Sequence, residues 1–181
     1  APAMIGRGQR HVSHAACLAI DPLISATLYV GMESLSTADP PTTYTYVLAK
    51  SVNSGVSWAG SAAGLPHPGY ARALAVDHRT PLVDNPEATI YAGFVTITSG
   101  GIVSDNGVYL SSDSGVTWAK VLDCGDVYAI VINQLTPDHV YVGSSQGVFR
   151  SLNRGVTWNK VSNGLSAIGT FSGIAIDPVT A

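Results

Sequence analysis

An all-β fold assembled from one repeated four-stranded unit is what this sequence predicts, on three observations. One eight-residue phrase occurs three times: S-V-N-S-G-V-S-W at Ser51–Trp58, S-S-D-S-G-V-T-W at Ser111–Trp118 and S-L-N-R-G-V-T-W at Ser151–Trp158. Four strand-like motifs recur around it in the same order. The units start 56, 56 and 44 residues apart. Four short antiparallel strands at such a period are the signature of a β-propeller blade. Unrelated hairpins in a sandwich would not repeat all four motifs in one order.

Each element has a physical reason. The first strand is Leu18-Ala-Ile-Asp21, Leu74-Ala-Val-Asp77, Ile130-Val-Ile-Asn133 and Ile174-Ala-Ile-Asp177, an apolar run closed by a polar turn residue. The second is Leu28-Tyr-Val-Gly31, Ile90-Tyr-Ala-Gly93 and Val140-Tyr-Val-Gly143. The third is Tyr46–Ser51, Val108–Ser111 and Val148–Ser151. The phrase then turns the chain. Ser51, Asn53, Ser111, Asp113, Ser151 and Asn153 have side chains that bond nearby backbone N–H groups. Gly55, Gly115 and Gly155 supply a conformation that a Cβ resists. The V-S-W and V-T-W segments are β-branched and aromatic, which predicts the fourth strand. Trp58, Trp118 and Trp158 are expected to pack over their turns at equivalent positions.

These motifs divide the chain into an irregular segment (1–16), three blades (17–73, 74–129 and 130–173) and the first strand of a further blade (174–181). Known propellers close with about 4–8 blades. Three blades would leave two open sheet edges. The expectation is therefore a partial propeller whose edges are covered by further sequence, a second copy or another protein.

The phrase resembles the Asp-box, or bacterial neuraminidase repeat, with pattern S-x-D-x-G-x-T-W. Ser111–Trp118 matches it in full, while Asn53 and Asn153 replace the Asp and Ser57 replaces the Thr. The resemblance runs from about Cys17 to the end of the sequence. It implies a secreted propeller of the kind found in sialidases, xyloglucanase-type glycosidases, sortilin-like receptors and photosystem assembly factors. It also implies that the box is a structural turn on the blade periphery, away from any active site.

Composition narrows the function classes. Charged residues make up 12% of the chain and the net charge is −3, without the clustered Lys and Arg of a nucleic-acid binder. No apolar run approaches the roughly 18 residues of a membrane helix. Few Lys and Glu with many Ser, Thr, Gly and Tyr fits an extracytoplasmic β protein. Cys17 and Cys124 fall in different blades and read as buried free thiols, with a bridge as the alternative. The opening Ala-Pro-Ala would fit a mature terminus after leader cleavage or a fragment boundary alike.

Up-and-down topology places the first-to-second and third-to-fourth connections on one face, and the second-to-third connections and the blade crossings on the other. The second face carries the long loops Met32–Thr45 and Phe94–Gly107, the short Ser144–Gly147, and the crossings Leu65–Arg72, Asp123–Tyr128 and Leu165–Ser172. Long loops on a rigid frame are where function concentrates. That face collects Glu33, Asp39, Tyr44, His67, Tyr70, Arg72, Asp105, Asp126, Tyr128 and Phe171. Aromatic and polar groups together suit a sugar or peptide surface. The plainer alternative is a solvated loop rim.

Catalysis finds less support. Glycoside hydrolysis needs a paired acid and nucleophile or base, or a Tyr nucleophile in sialidases. Sialidases also need clustered arginines for the substrate carboxylate. The arginines here do not recur at matching blade positions, and Phe149-Arg150 continues into Ser-Leu, not the Ile-Pro of the sialidase F-R-I-P motif. His11-Val-Ser-His14 has the spacing of a metal pair but lacks an evident third ligand. Thr98–Gly107 has too few carboxylates for a calcium loop. No cofactor or metal is expected. The favoured reading is a non-enzymatic propeller that binds a protein or a glycan, or scaffolds a larger assembly. The rival is part of a sialidase-like or xyloglucanase-like glycoside hydrolase, with two carboxylates at the channel mouth drawn from Glu33, Asp39, Asp105 and Asp126.

Overall fold

The structure is a computed structural model that describes residues 15–34, 47–61, 63–66, 69–77, 87–96, 98–99, 102–103, 105–165 and 171–177. Asp39, Tyr44, His67 and the His11/His14 pair lie outside the described residues. The described chain is all strand and turn, with no helix. Fourteen strands run in order: β1 (Ala15–Ile20), β2 (Leu28–Ser34), β3 (Leu48–Ser51), β4 (Ala59–Gly60), β5 (Gly69–Val76), β6 (Ile90–Val95), β7 (Thr98–Ser99), β8 (Ile102–Val103), β9 (Gly107–Ser111), β10 (Ala119–Leu122), β11 (Val127–Ile132), β12 (Val140–Ser144), β13 (Gly147–Ser151) and β14 (Asn159–Lys160).

They make three antiparallel four-stranded blades: β1-β2-β3-β4, β5-β6-β9-β10 and β11-β12-β13-β14. β7 and β8 form a small hairpin in the loop between β6 and β9. The first two blades are also stitched together, because the end of β2 pairs with the start of β5 (Glu33 opposite Tyr70, Ser34 opposite Gly69). The chain is a partial β-propeller, as its repeats predict.

Two expectations are corrected. The V-x-W segments are not the fourth strands. Each ladder resumes only after the Trp, at Ala59, Ala119 and Asn159. The box turn is simply longer than it reads. Ser51, Ser111 and Ser151 accept the N–H of Gly55, Gly115 and Gly155 at 2.8–2.9 Å, and the Asn53, Asp113 and Asn153 side chains then accept the N–H of Ser57, Thr117 and Thr157 at 2.8–2.9 Å. With those N–H groups taken, Val56, Val116 and Val156 are left exposed on the turn. The fourth residue of each box is left-handed, with φ of 57° at Ser54, 56° at Ser114 and 58° at Arg154.

The crossings are also shorter than expected. Tyr70, Arg72 and Tyr128 lie on strands, because β5 and β11 begin at Gly69 and Val127, ahead of their repeated motifs. A β-bulge interrupts the pairing there: register skips from Ala71 to Ala73 and from Val127 to Ala129. β1 has the same irregularity between Ala15 and Cys17. The bulges break the apolar alternation, so the strand starts are not visible as a pattern.

The core sits between blades. One cluster joins Tyr29, Val47 and Leu48 of the first blade to Ile90, Phe94, Tyr109 and Trp118 of the second. Another joins Tyr91 and Val108 of the second to Val127, Val140 and Val142 of the third. The glycine closing each Tyr-x-Gly motif lets the next innermost strand approach. A Cβ on Gly31 would lie 2.7 Å from the Ala71 carbonyl, and one on Gly93 would collide with Val127. Phe171 occupies the same place over Gly143. Phe171–Asp177 therefore lies where the innermost strand of a further blade belongs, outside the strand ladders. Cys17 and Cys124 are free thiols, each pushed up to about 11 by burial.

Candidate functional site on the loop face

Contacts fix the two faces. Each box turn leans on the first connection of its own blade, through Ser54 N–H to Ala26 O, Ser114 N–H to Ala88 O and Arg154 N–H to Asp138 O. The opposite face gathers the loop between β6 and β9, the β10–β11 crossing and the β12–β13 turn.

Asp126 ties those three together. Its Oδ1 accepts the Thr96 N–H at 2.7 Å, the Thr96 hydroxyl at 2.7 Å and the Asn106 amide at 3.0 Å. Its backbone N–H donates to Ser145 Oγ at 3.0 Å, and its carbonyl accepts the Ser145 N–H at 2.8 Å. Burial pulls the carboxyl up, but the Thr96, Asn106 and Tyr128 donors outweigh it and hold the group below the usual carboxylate value. Asp126 is therefore an ionised brace.

From this brace a chain of side chains crosses to the second blade. The Tyr128 hydroxyl lies 3.4 Å from Asp126 Oδ2, and the Arg72 guanidinium sits over the Tyr128 ring, 5.7 Å from its centroid. Arg72 and Tyr128 are the two bulged residues, on neighbouring innermost strands. Bulges re-aim side chains and are frequent beside functional sites. A surface cation–π contact of this kind contributes about 0.5–1 kcal/mol. Burial first, and then the Asp126 charge, raise the Tyr128 phenol, so it stays a neutral donor. Glu33 and Tyr70 stand opposite each other on β2 and β5, where the first blade meets the second.

The structure thus brings Arg72, Tyr128 and Asp126 together, and separately sets Glu33 opposite Tyr70. It separates two other candidates. Asp105 belongs to the outer strands, where it binds Lys120 Nζ at 2.7 Å and the Tyr109 hydroxyl at 2.8 Å; Lys120 holds it below the ordinary value. Phe171 lies over Gly143 and borders a cleft of about 330 Å³ with Ser145, Gln146 and Lys160. Thr96, Asn106 and Ser145, which position Asp126, went unnoticed in the sequence. Their one signal is that Ser, Thr and Asn beside a turn bond side chain to backbone. No group of metal-ligating residues occurs among the described residues. No described helix is long and apolar enough to cross a membrane.

No protein-family profile matches the chain, and no curated protein sequence matches it. Solved structures do. An ancestral GH74 enzyme aligns with TM-score 0.59 at 20% identity, over 81% of this chain and 18% of its own. The GH74 xyloglucanase from Xanthomonas campestris aligns at 0.54 and 16%, over 78% of this chain and 20% of its own. The GH74 enzyme of Niastella koreensis aligns at 0.54 and 17%, over 78% and 21%. The chain spans about a fifth of the length of these neighbours. At such identities the likeness is one of fold, and it is to β-propellers.

Proposed function

We propose that this chain contributes three blades to an extracytoplasmic propeller that binds a glycan across its loop face. The observation that carries the reading is the Arg72–Tyr128–Asp126 arrangement on the bulges of adjacent innermost strands. A tyrosine ring offers an apolar face to a sugar ring. A guanidinium and a locked carboxylate beside it supply fixed donors and acceptors for hydroxyls. The likeness of the box turns to Asp-boxes supports a secreted propeller. A xyloglucanase among the fold neighbours makes xyloglucan oligosaccharides the first ligands to try.

The rival, a portion of a glycoside hydrolase, draws on the same neighbours. Such chemistry needs one carboxyl that keeps its proton beside one that is ionised. Asp126, the carboxylate of this patch, is pushed toward the ionised form, which suits a fixed acceptor for sugar hydroxyls. Calorimetric titration of the chain with xyloglucan and other neutral oligosaccharides separates the readings. Saturable binding that Tyr128→Ala weakens about tenfold or more, with only the small loss of stability that the Arg72 contact implies, is expected from loss of roughly 1.4 kcal/mol of stacking. Hydrolysis of a fluorogenic glycoside, lost in Asp126→Asn, would favour the hydrolase. Absence of binding to any glycan would leave the proposal without its ligand class.

A further inference from the structure

The second and third blades are repeats of one unit, and at one place on them the charge differs. Lys120 and Lys160 hold the same position, each opposite the third residue of its blade's third strand, Tyr109 and Phe149. Each lysine stem crosses the glycine that opens that strand. A Cβ on Gly107 would lie 2.9 Å from Lys120 Cε, and one on Gly147 would lie 2.8 Å from Lys160 Cε. In the second blade the ammonium is neutralised from within. Lys120 Nζ lies 2.7 Å from Asp105 Oδ1 and 3.5 Å from Asp123 Oδ1, and the Tyr109 hydroxyl donates to Asp105 Oδ2 at 2.8 Å.

The third blade keeps the lysine and drops those partners. Asp105 stands two residues before Gly107, and the residue two before Gly147 is Ser145. Asp123 stands three residues after Lys120, and the residue three after Lys160 is Asn163. Phe149 lacks the hydroxyl that Tyr109 supplies. Among the described residues no carboxylate pairs with Lys160, and residues 161–171 include no acidic one. A cleft of about 330 Å³ takes the place of the carboxylates, with Lys160, Ser145, Gln146, Asn163, Leu165 and Phe171 on its walls. Small-molecule sites span roughly 300–1,000 Å³. A following blade does not close this place. On the second blade the side chains of Asp105 and Asp123 remain 56% and 79% exposed with the third blade packed beside them.

We propose that the Lys160 cleft binds a carboxylate, and that the glycan of the loop face is an acidic one whose uronic acid residue sits there. This rests on the glycan reading of that face and names the charged sugar it takes. The second blade carries its own likeness of the bound group, because Asp105 is a carboxylate on the equivalent ammonium. The Phe171 ring and Leu165 give a sugar ring an apolar wall, and the Gln146 and Asn163 amides supply donors and acceptors for its hydroxyls. Ser145 links the cleft to the Asp126 brace, since its Oγ accepts the Asp126 N–H at 3.0 Å.

Calorimetric titration of the chain with a galacturonate trisaccharide and with its methyl ester tests this, because esterification removes the charge and keeps the rings. The acid should bind about tenfold more tightly than the ester, the scale of a hydrogen bond to a charged group. The preference should shrink as salt is added. Lys160→Gln should bring acid and ester within about twofold of each other, since the charged bond is gone. Asn163→Asp rebuilds the Lys120–Asp123 pair on the third blade, at an exposed position that the fold tolerates, and should remove the preference as well. A preference that survives both changes overturns the proposal. Equal binding of acid and ester by the parent overturns it too, as does binding of xyloglucan oligosaccharides but of neither galacturonate; both results leave the glycan reading standing. If no saccharide binds at all, both readings fall. An oligoglutamate peptide that binds where the acid saccharide does not, and is lost in Lys160→Gln, gives the cleft to a protein partner and overturns the acidic sugar.

Discussion

The Tyr29 ring lies against Gly115, a residue of the next blade's box turn, and that contact makes the turn an interblade joint as well as a hairpin end. The Ser61 hydroxyl on the first blade's crossing donates to the Gly115 carbonyl from the other side. The glycine is needed twice over, for its φ of 86° and for the space a Cβ would take 2.8 Å from Ser61 Oγ.

Gly115→Ala is therefore expected to lose stability by about 1–3 kcal/mol, combining backbone strain with overpacking. Gly55→Ala meets similar strain at φ 85° but, among the described residues, no atom closer than 3.6 Å, so its loss should be about 1 kcal/mol. Urea unfolding of both variants measures the difference. Equal losses would mean that the Tyr29–Gly115 joint contributes nothing.

Asp113 gives the box a pH signature that Asn53 and Asn153 lack. Burial opposes its charge, but the Ser111 and Thr117 hydroxyls and the Thr117 and Val116 N–H groups hold its carboxyl at about 2. A carboxyl lowered by folding contributes stability that is fully present above its unfolded value of 3.8 and lost as pH falls toward 2. In the two Asn boxes the amide instead donates to the Ser57 and Thr157 hydroxyls, at 2.8 and 2.9 Å. Asp113→Asn should fold well and flatten the decline of melting temperature between about pH 4 and pH 2. Asp113→Ala should lose about 0.5–2 kcal/mol at neutral pH, as for a lost capping bond, and leave glycan binding unchanged. A binding defect with an unchanged melting temperature would move the box from the frame to the site.

The frame was legible because its grammar is local. Ser, Asp or Asn, Gly and Trp at fixed offsets state the turn, and Tyr-x-Gly states the strand behind it. The blade ends were less legible. Side-chain bonds from Asn53, Asp113 and Asn153 carry each turn through V-x-W, residues whose intrinsic preference is for strand. The site was half legible for a different reason. Topology placed Arg72, Tyr128 and Asp126 on one face, but the bulges that bring Arg72 over Tyr128 leave no periodic trace. Nor does sequence separation announce that Thr96 and Asp126 meet across 30 residues.

The two thiols should be inert. Cys17 lies against the Ala71 carbonyl at the first interblade contact, and Cys124 is fully buried in the second core cluster. With both pushed up to about 11, the thiolate that attacks a disulfide reagent is scarce at pH 8, and the sulfur is shielded as well. Labelling with a chromogenic disulfide should be slow in buffer and release two equivalents promptly in urea. Fast labelling of one equivalent in buffer would show that the first blade opens around Cys17.

Asp126 offers the sharpest local test, because it holds the loop between β6 and β9 from a different blade. Asp126→Ala removes the acceptor of the Thr96 N–H, the Thr96 hydroxyl and the Asn106 amide at once. The Thr96 amide should then exchange with deuterium about tenfold faster or more, corresponding to roughly 1.4 kcal/mol of lost local protection. Amides in the β5–β6 ladder should keep their rates, since those bonds do not involve Asp126. Asp126→Asn keeps one carbonyl acceptor and should fall between the parent and the alanine variant. If Asp126 also orients Tyr128, glycan affinity should decline in the same order. Because the donors around the carboxylate lower its pKa, the parent loop should stay protected through the ordinary carboxylate range as pH falls, and loosen only below it. Loosening of the parent loop at the pH of an unperturbed aspartate would mean that these hydrogen bonds do not form in solution.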